Sequence, residues 1–130
     1  MILRDQQAKS FLKGSIKNFK AHELACKCCD KLLIDDFAIT CLDELRHYSC
    51  DFKIFLTSAY RCPINNEKVG GKPSSLHLVG QAFDIDVSKL NSFQLQTIIR
   101  YCFNHSFMGL GVGDGRLHID TRKTPTAWLY

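Results

Sequence analysis

The sequence predicts an α+β fold, a small antiparallel sheet flanked by helices, for this chain of 130 residues. Three observations predict it. Helix-like and strand-like segments follow one another in mixed order. Residues 81–87 alternate with a clean period of two. Near the end, Asp114-Gly115 separates two short strand-like runs, the strongest local signal for a two-residue hairpin turn.

Residues 1–20 are the least structured by pattern. Phe11, Leu12, Ile16 and Phe19 have spacing compatible with an amphipathic segment, against which Gly14 and the lysines weigh. Asp35 or Asp36 can cap a helix running to about Tyr48, with Phe37, Cys41, Leu45 and Tyr48 on one face. Residues 53–59 read as a strand through Ile54, Phe55 and Thr57. Residues 60–76 read as a long loop rich in turn formers: Pro63, Asn65, Asn66, Gly70, Gly71 and Pro73. Ordered loops of that length in a small domain are usually functional. In the strand at 81–87, Phe83, Ile85 and Val87 point one way, and Ala82, Asp84 and Asp86 the other. Ser92 caps a helix to about Asn104 with Leu95, Ile98, Ile99 and Cys102 as its apolar stripe. Residues 107–113 and 116–121 form the arms of the terminal hairpin.

The length suits a single domain over 1–130. Hydrophobic residues are 45% and charged residues 23%, which argues against general disorder. No stretch approaches the roughly 20 apolar residues of a membrane span, so no membrane insertion is expected. The net charge of +4 permits an anionic partner but does not argue for nucleic acid, and none is expected. Seven cysteines cannot all pair within one chain. The amino terminus lacks the basic start and apolar run of a secretory signal. Synthesis in the reducing cytoplasm with free thiols is the expectation. Cys41 and Cys102 are expected as small core residues.

The chemistry concentrates in two clusters. The first is Ser75-Leu76-His77-Leu78-Val79-Gly80-Gln81-Ala82-Phe83-Asp84, and the second is Leu117-His118-Ile119-Asp120. If their strands are neighbours, His77, Asp84 and His118 make a two-histidine, one-carboxylate set. Three such ligands leave a fourth zinc position for water, the mark of a catalytic site. On spacing alone, hydrogen-bonded histidines without metal remain the alternative.

The pattern Ser75-x-His77-x-x-Gly80-x-Ala82-x-Asp84 resembles the signature of the zinc D-Ala-D-Ala carboxypeptidase family. That family includes bacterial cell-wall carboxypeptidases and phage L-alanyl-D-glutamate endolysins, and shares its fold with the hedgehog signalling domain. Further segments are similar: Thr57-Ser58-Ala59-Tyr60-Arg61 with Asn65 or Asn66 and Val69-Gly70-Gly71; residues 109–113 followed by Leu117-His118-Ile119-Asp120; and Phe19-Lys20 through Cys26-Lys27-Cys28-Cys29 to Ile34-Asp35. The resemblance covers about residues 19–122. It implies zinc (Zn2+) held by His77, Asp84 and His118, and Arg61 meeting a carboxylate or carbonyl of substrate through its planar donor fork. A structural ion pair bracing the loop is the other role open to Arg61. Ser75 would support ligand geometry or donate to substrate, or make only a local turn bond.

Many relatives place Asp or Glu three residues before the last histidine; here that position is Gly115. Asp114 would lie about 13 Å along a strand from His118, and Asp120 about 7 Å away on the same face. Asp120 is therefore the expected base, with orientation of a ligand imidazole as its alternative role. Cys26, Cys28 and Cys29, with His22 nearby, offer either a second thiolate-rich zinc site or a cluster of free thiols. The adjacency of two cysteines and the lack of a second pair favour free thiols.

The expected function is a monomeric zinc peptidase that cuts peptidoglycan stem peptides as an endopeptidase or D,D-carboxypeptidase. An endolysin made without a signal peptide and acting on the wall after release fits that function. The rival is a non-catalytic zinc-containing module that binds cell wall or protein.

Overall fold

The structure is a computed structural model that describes residues 1–49 and 51–130. Its elements run β1 (Ile2–Arg4), α1 (Asp5–Ser15), α2 (Ala21–Leu24), β2 (Leu33–Asp35), α3 (Asp36–Tyr48), β3 (Leu56–Ser58), α4 (Pro63–Lys68), a 3₁₀ turn (Leu76–Val79), β4 (Ala82–Asp86), α5 (Ser92–Asn104), β5 (Gly109–Gly113), β6 (Arg116–Asp120) and β7 (Thr126–Leu129). Strands β1 and β2 form a small antiparallel sheet. The main sheet has the order β3-β4-β6-β5-β7 and is antiparallel except for the β5–β7 pair. The α+β class holds, with a parallel strand at one edge of the sheet.

Helix α3 begins where Asp35 accepts a hydrogen bond from the Ala38 amide at 3.1 Å, so Asp35 is the cap. Asp35→Ala removes that acceptor and is expected to cost about 1 kcal/mol. Urea unfolding checks this as a lower midpoint with an unchanged slope. An unmoved midpoint would show that the cap contributes nothing.

The apolar face of α3 is Ala38, Ile39, Cys41, Leu42 and Leu45, while Phe37 and Tyr48 stand 54% and 57% exposed. The expected stripe is thus rotated. Ile39 and Leu42 add apolar area on one side, and the helix turns to bury both. In α5 the buried set is Ile98, Tyr101 and Cys102, with Leu95 and Ile99 packed at its margin. Its cap is Asn91 rather than Ser92. The Asn91 side chain accepts from the Gln94 amide and the Gln94 side chain accepts from the Asn91 amide, a reciprocal capping box.

Two local readings shrink. The strand expected over 53–59 survives only as β3, whose register with β4 slips between Leu56 and Ser58. The loop expected over 60–76 contains α4, started by Pro63 in the first helical turn. The hairpin stands as expected. Gly113 pairs with Arg116, and Asp114 and Gly115 have φ of 54° and 72°, both in the left-handed region a type I′ turn needs.

Alternation sorts the main sheet into two faces. Phe83 and Ile85 of β4, Leu117 and Ile119 of β6, and Leu110 of β5 join the core with α3 and α5. The opposite face follows from register. Ser58, Asp84, His118, Gly111 and Trp128 occupy one row across all five strands. No helix among the described residues is long and apolar enough to cross a membrane.

Candidate metal centre

That row places two of the three candidate ligands side by side, since Asp84 and His118 are direct cross-strand partners. The third comes from the 3₁₀ turn. Ser75 starts the turn by accepting from the His77 amide at 3.3 Å, and Gly80 closes it with φ of 72°. A side chain at Gly80 would also press on the backbone of Ile34 and Asp35. One ligand atom from each of His77, Asp84 and His118 lies within 4.8 Å of the others, and all three residues are buried.

The protonation pattern suits a cation. His77 is 1% exposed, and its Nδ1 stands 2.6 Å from the Ala59 carbonyl. A carbonyl only accepts, so Nδ1 carries the proton. In the neutral imidazole that tautomer leaves Nε2 as a lone pair. Nε2 lies 3.3 Å from Asp84 Oδ2 and makes no hydrogen bond. A buried acceptor facing a carboxylate is unfavourable unless something positive sits between them. Burial opposes ionisation of Asp84, but the hydrogen bond from His118 outweighs it and holds the carboxyl well below the usual range. The donor set of two imidazoles and one carboxylate therefore fits zinc.

His118 is gripped at both nitrogens. Nδ1 lies 3.0 Å from Asp84 Oδ1, and Nε2 lies 2.8 Å from Asp120 Oδ2. Burial lowers its pKa, but the hydrogen bonds to Asp120 and Asp84 win and raise it above the ordinary imidazole value. Asp120 is fully buried. Arg122 clasps it through Nε to Oδ1 at 2.8 Å and NH2 to Oδ2 at 2.6 Å, and the Arg122 amide adds a bond at 3.1 Å. Burial raises the Asp120 pKa, yet these bonds and His118 hold it well below its ordinary value. The guanidinium of Arg122 in turn lies 4.9 Å from the Trp128 ring centre. A Cβ at Gly109 would collide with the Asp120 carboxylate, and one at Gly111 with the Trp128 ring. The glycines of β5 make room for this stack.

Arg61 uses three of its donors within the protein: Nε to Ser58 Oγ at 3.0 Å, NH1 to Asn66 Oδ1 at 3.2 Å and NH2 to Asp84 Oδ2 at 3.0 Å. It thus braces the loop and also lines the cleft. Asn66 completes the brace by donating to the Lys72 carbonyl.

Arg61, His77, Asp84, His118, Asp120, Arg122 and Trp128 open onto one cleft of about 910 Å³. Its lining includes Ser75 and the three candidate ligands, and it carries Lys27, Arg61, Lys72, Arg116 and Arg122 against the carboxylates of Asp84 and Asp120. Asp114 is at the hairpin tip and does not line it. The sequence reading did not find Arg122, Trp128 or Tyr130. The signal for Arg122 was its position two residues past Asp120, on the same strand side. For the aromatics it was the alternation Trp128-x-Tyr130.

A family model described as Peptidase M15 matches residues 17–120. No curated protein matches the chain.

Proposed function

Because the chain belongs to the peptidase M15 family, whose members are zinc-dependent, we propose that it is a zinc peptidase hydrolysing amide bonds in peptidoglycan stem peptides. Residues 1–130 would act as one domain. The observation that carries the proposal is the meeting of His77, Asp84 and His118 around the unpartnered Nε2 of His77. The peptidoglycan assignment is supported by the cationic cleft, because stem peptides carry carboxylates that its lysines and arginines can meet.

His77 Nε2, Asp84 and His118 Nδ1 would hold the ion. When bound, zinc would supply Lewis-acid polarisation of the scissile carbonyl and activation of water at neutral pH. Ala59 fixes the tautomer of His77 by accepting from Nδ1. Asp120 does the same for His118 by accepting from Nε2, so that Nδ1 faces Asp84. Arg61 has two donors beyond its three internal bonds. These would meet a substrate carboxylate or the charge growing on the carbonyl oxygen. Ser75 accepts from His77 and would chiefly fix the turn.

For Asp120 we propose a positioning role ahead of the base role expected from sequence. Both of its oxygens are occupied by Arg122 and one by His118 as well. One observation favours the base role as a second assignment. Asp120 and Asp84 are the only side-chain carboxylates lining the cleft among the described residues.

The test is mass analysis of products from purified muropeptides, with and without chelator. Chelator-sensitive cleavage supports the peptidase, and the product masses separate endopeptidase from carboxypeptidase. Binding without cleavage would favour a non-catalytic module, for which Gly115 in place of an acid before His118 speaks.

Arg61→Lys keeps the charge but loses the fork. Loss of a charge-assisted bond is expected to lower kcat/KM about tenfold. Full activity with a large fall in Tm would instead assign Arg61 to the brace alone.

A further inference from the structure

Behind one wall of the cleft lies a cluster that the chemistry above does not use. One Sγ each from Cys26, Cys28, Cys29 and Cys62 lies within 4.8 Å of the others. None of these cysteines is in a disulfide. Cys62 comes from the start of α4, far along the chain from the other three, and supplies the fourth sulfur that the sequence reading lacked. His22 is not part of the group.

The local chain is folded to converge these sulfurs. The Cys26 carbonyl accepts from the Asp30 amide, and the Cys26 amide donates to the Lys31 carbonyl, both at 2.9 Å. Asp30 has φ of 61°, the left-handed turn that reverses the chain. This tight turn sets Cys26, Cys28 and the adjacent Cys29 on one centre. Sulfur separations are 3.6 Å for Cys26–Cys28 and 3.4 Å for Cys28–Cys62. Four sulfurs about 2.3 Å from one zinc ion in tetrahedral array stand about 3.8 Å apart, close to these values.

The sulfurs are also met by N–H donors. The Cys62 amide donates to Cys26 Sγ at 3.4 Å, the Asn65 amide to Cys62 Sγ at 3.4 Å, and Asn65 Nδ2 to Cys26 Sγ at 3.6 Å. A neutral thiol is a weak acceptor, and Cys is not among the favoured capping residues, yet Cys62 caps α4. Both facts make sense for thiolates held by a cation, whose ligands are themselves hydrogen-bonded.

We propose that Cys26, Cys28, Cys29 and Cys62 form a second, structural zinc site that ties the amino-terminal turn to the loop carrying Arg61. Lys27 and Arg61, each next in sequence to a ligand, both line the cleft. The site thus holds two of the cleft's cations in place. It is closed, with four protein ligands, where the His77 centre has three. The proposal stands apart from the peptidase assignment and survives its failure.

Purified wild-type protein is expected to contain two zinc ions per chain by elemental analysis, and His77→Ala one. Cobalt(II) loaded into His77→Ala protein should show thiolate-to-metal charge-transfer absorption in the near ultraviolet. Cys62→Ser should lose that band and one ion while keeping the other. Should Cys62→Ser not fold, a mercurial titration of His77→Ala protein decides, with one zinc released as four of the seven thiols react. The proposal is overturned if cobalt-loaded His77→Ala protein lacks the sulfur band. It is equally overturned if the four cysteines hold iron in place of zinc, or if mass analysis finds them paired as disulfides.

Discussion

His77→Ala is expected to abolish chelator-sensitive hydrolysis of muropeptides and to remove the zinc bound at the His77 centre. The imidazole supplies the one donor in the set that nothing else in the protein satisfies, its Nε2. Loss of a group that merely orients a ligand costs about 10–100-fold in metal affinity, so loss of a ligand itself should exceed the upper figure. Some stability will also go, because the Ala59 carbonyl loses the donor held at 2.6 Å. An unpaired buried carbonyl costs about 1–3 kcal/mol. Asp84→Asn keeps the shape of its side chain and serves as a second test of the same centre. Activity and metal content should fall together in both variants. Wild-type zinc content and cleavage in His77→Ala protein would dismiss the centre altogether. The pH dependence has a definite sign. The raised pKa of His118 reflects a proton that Nδ1 must shed before it can donate to a metal. Zinc affinity should therefore fall as pH is lowered through that raised value, with protons released on binding.

The meeting of Asp84 and His118 was legible because it depends on only two facts: that β4 and β6 are neighbours, and that period-two alternation puts both residues on the same face. The hairpin was legible for a similar reason, since Asp114-Gly115 dictates both the turn and the register. What escaped depends on long-range pairing that no local pattern encodes. Strands β1 and β2 are three residues each, too short to show a period, and pair across the whole of α1 and α2. Strand β7 joins β5 in parallel, and brings Trp128 beside Gly111 and near Arg122. Cys62 stood in a segment read as loop, so nothing local linked it to Cys26, Cys28 and Cys29. The face of α3 was missed by a rotation. Phe37 and Tyr48 are apolar and correctly spaced, but Ile39 and Leu42 gave the opposite side more to bury.

Asp120→Asn is the change that separates the two roles open to that residue. In its positioning role, Asp120 accepts from His118 Nε2 and is pinned by Arg122. Asparagine has nearly the same shape but lacks the charge, and its amide can present a donor where His118 needs an acceptor. The imidazole then loses its fixed tautomer and part of its basicity. Zinc affinity is expected to fall about 10–100-fold, and activity should return when excess zinc is supplied. A base role predicts something different. Zinc content would stay at the wild-type level while kcat dropped by about 10²–10⁴-fold, beyond rescue by added metal. Asp114→Asn is the matched control. Asp114 occupies the tip of the hairpin, away from the cleft lining, and its replacement should leave both zinc affinity and kcat unchanged. Arg122→Gln sharpens the distinction, since Arg122 meets Asp120 on both oxygens. Freed from that clasp, Asp120 would reorient, and a positioning residue would again show weakened, zinc-rescuable activity. Zinc-independent loss of kcat in Asp120→Asn, with normal metal binding, would return Asp120 to the chemical step.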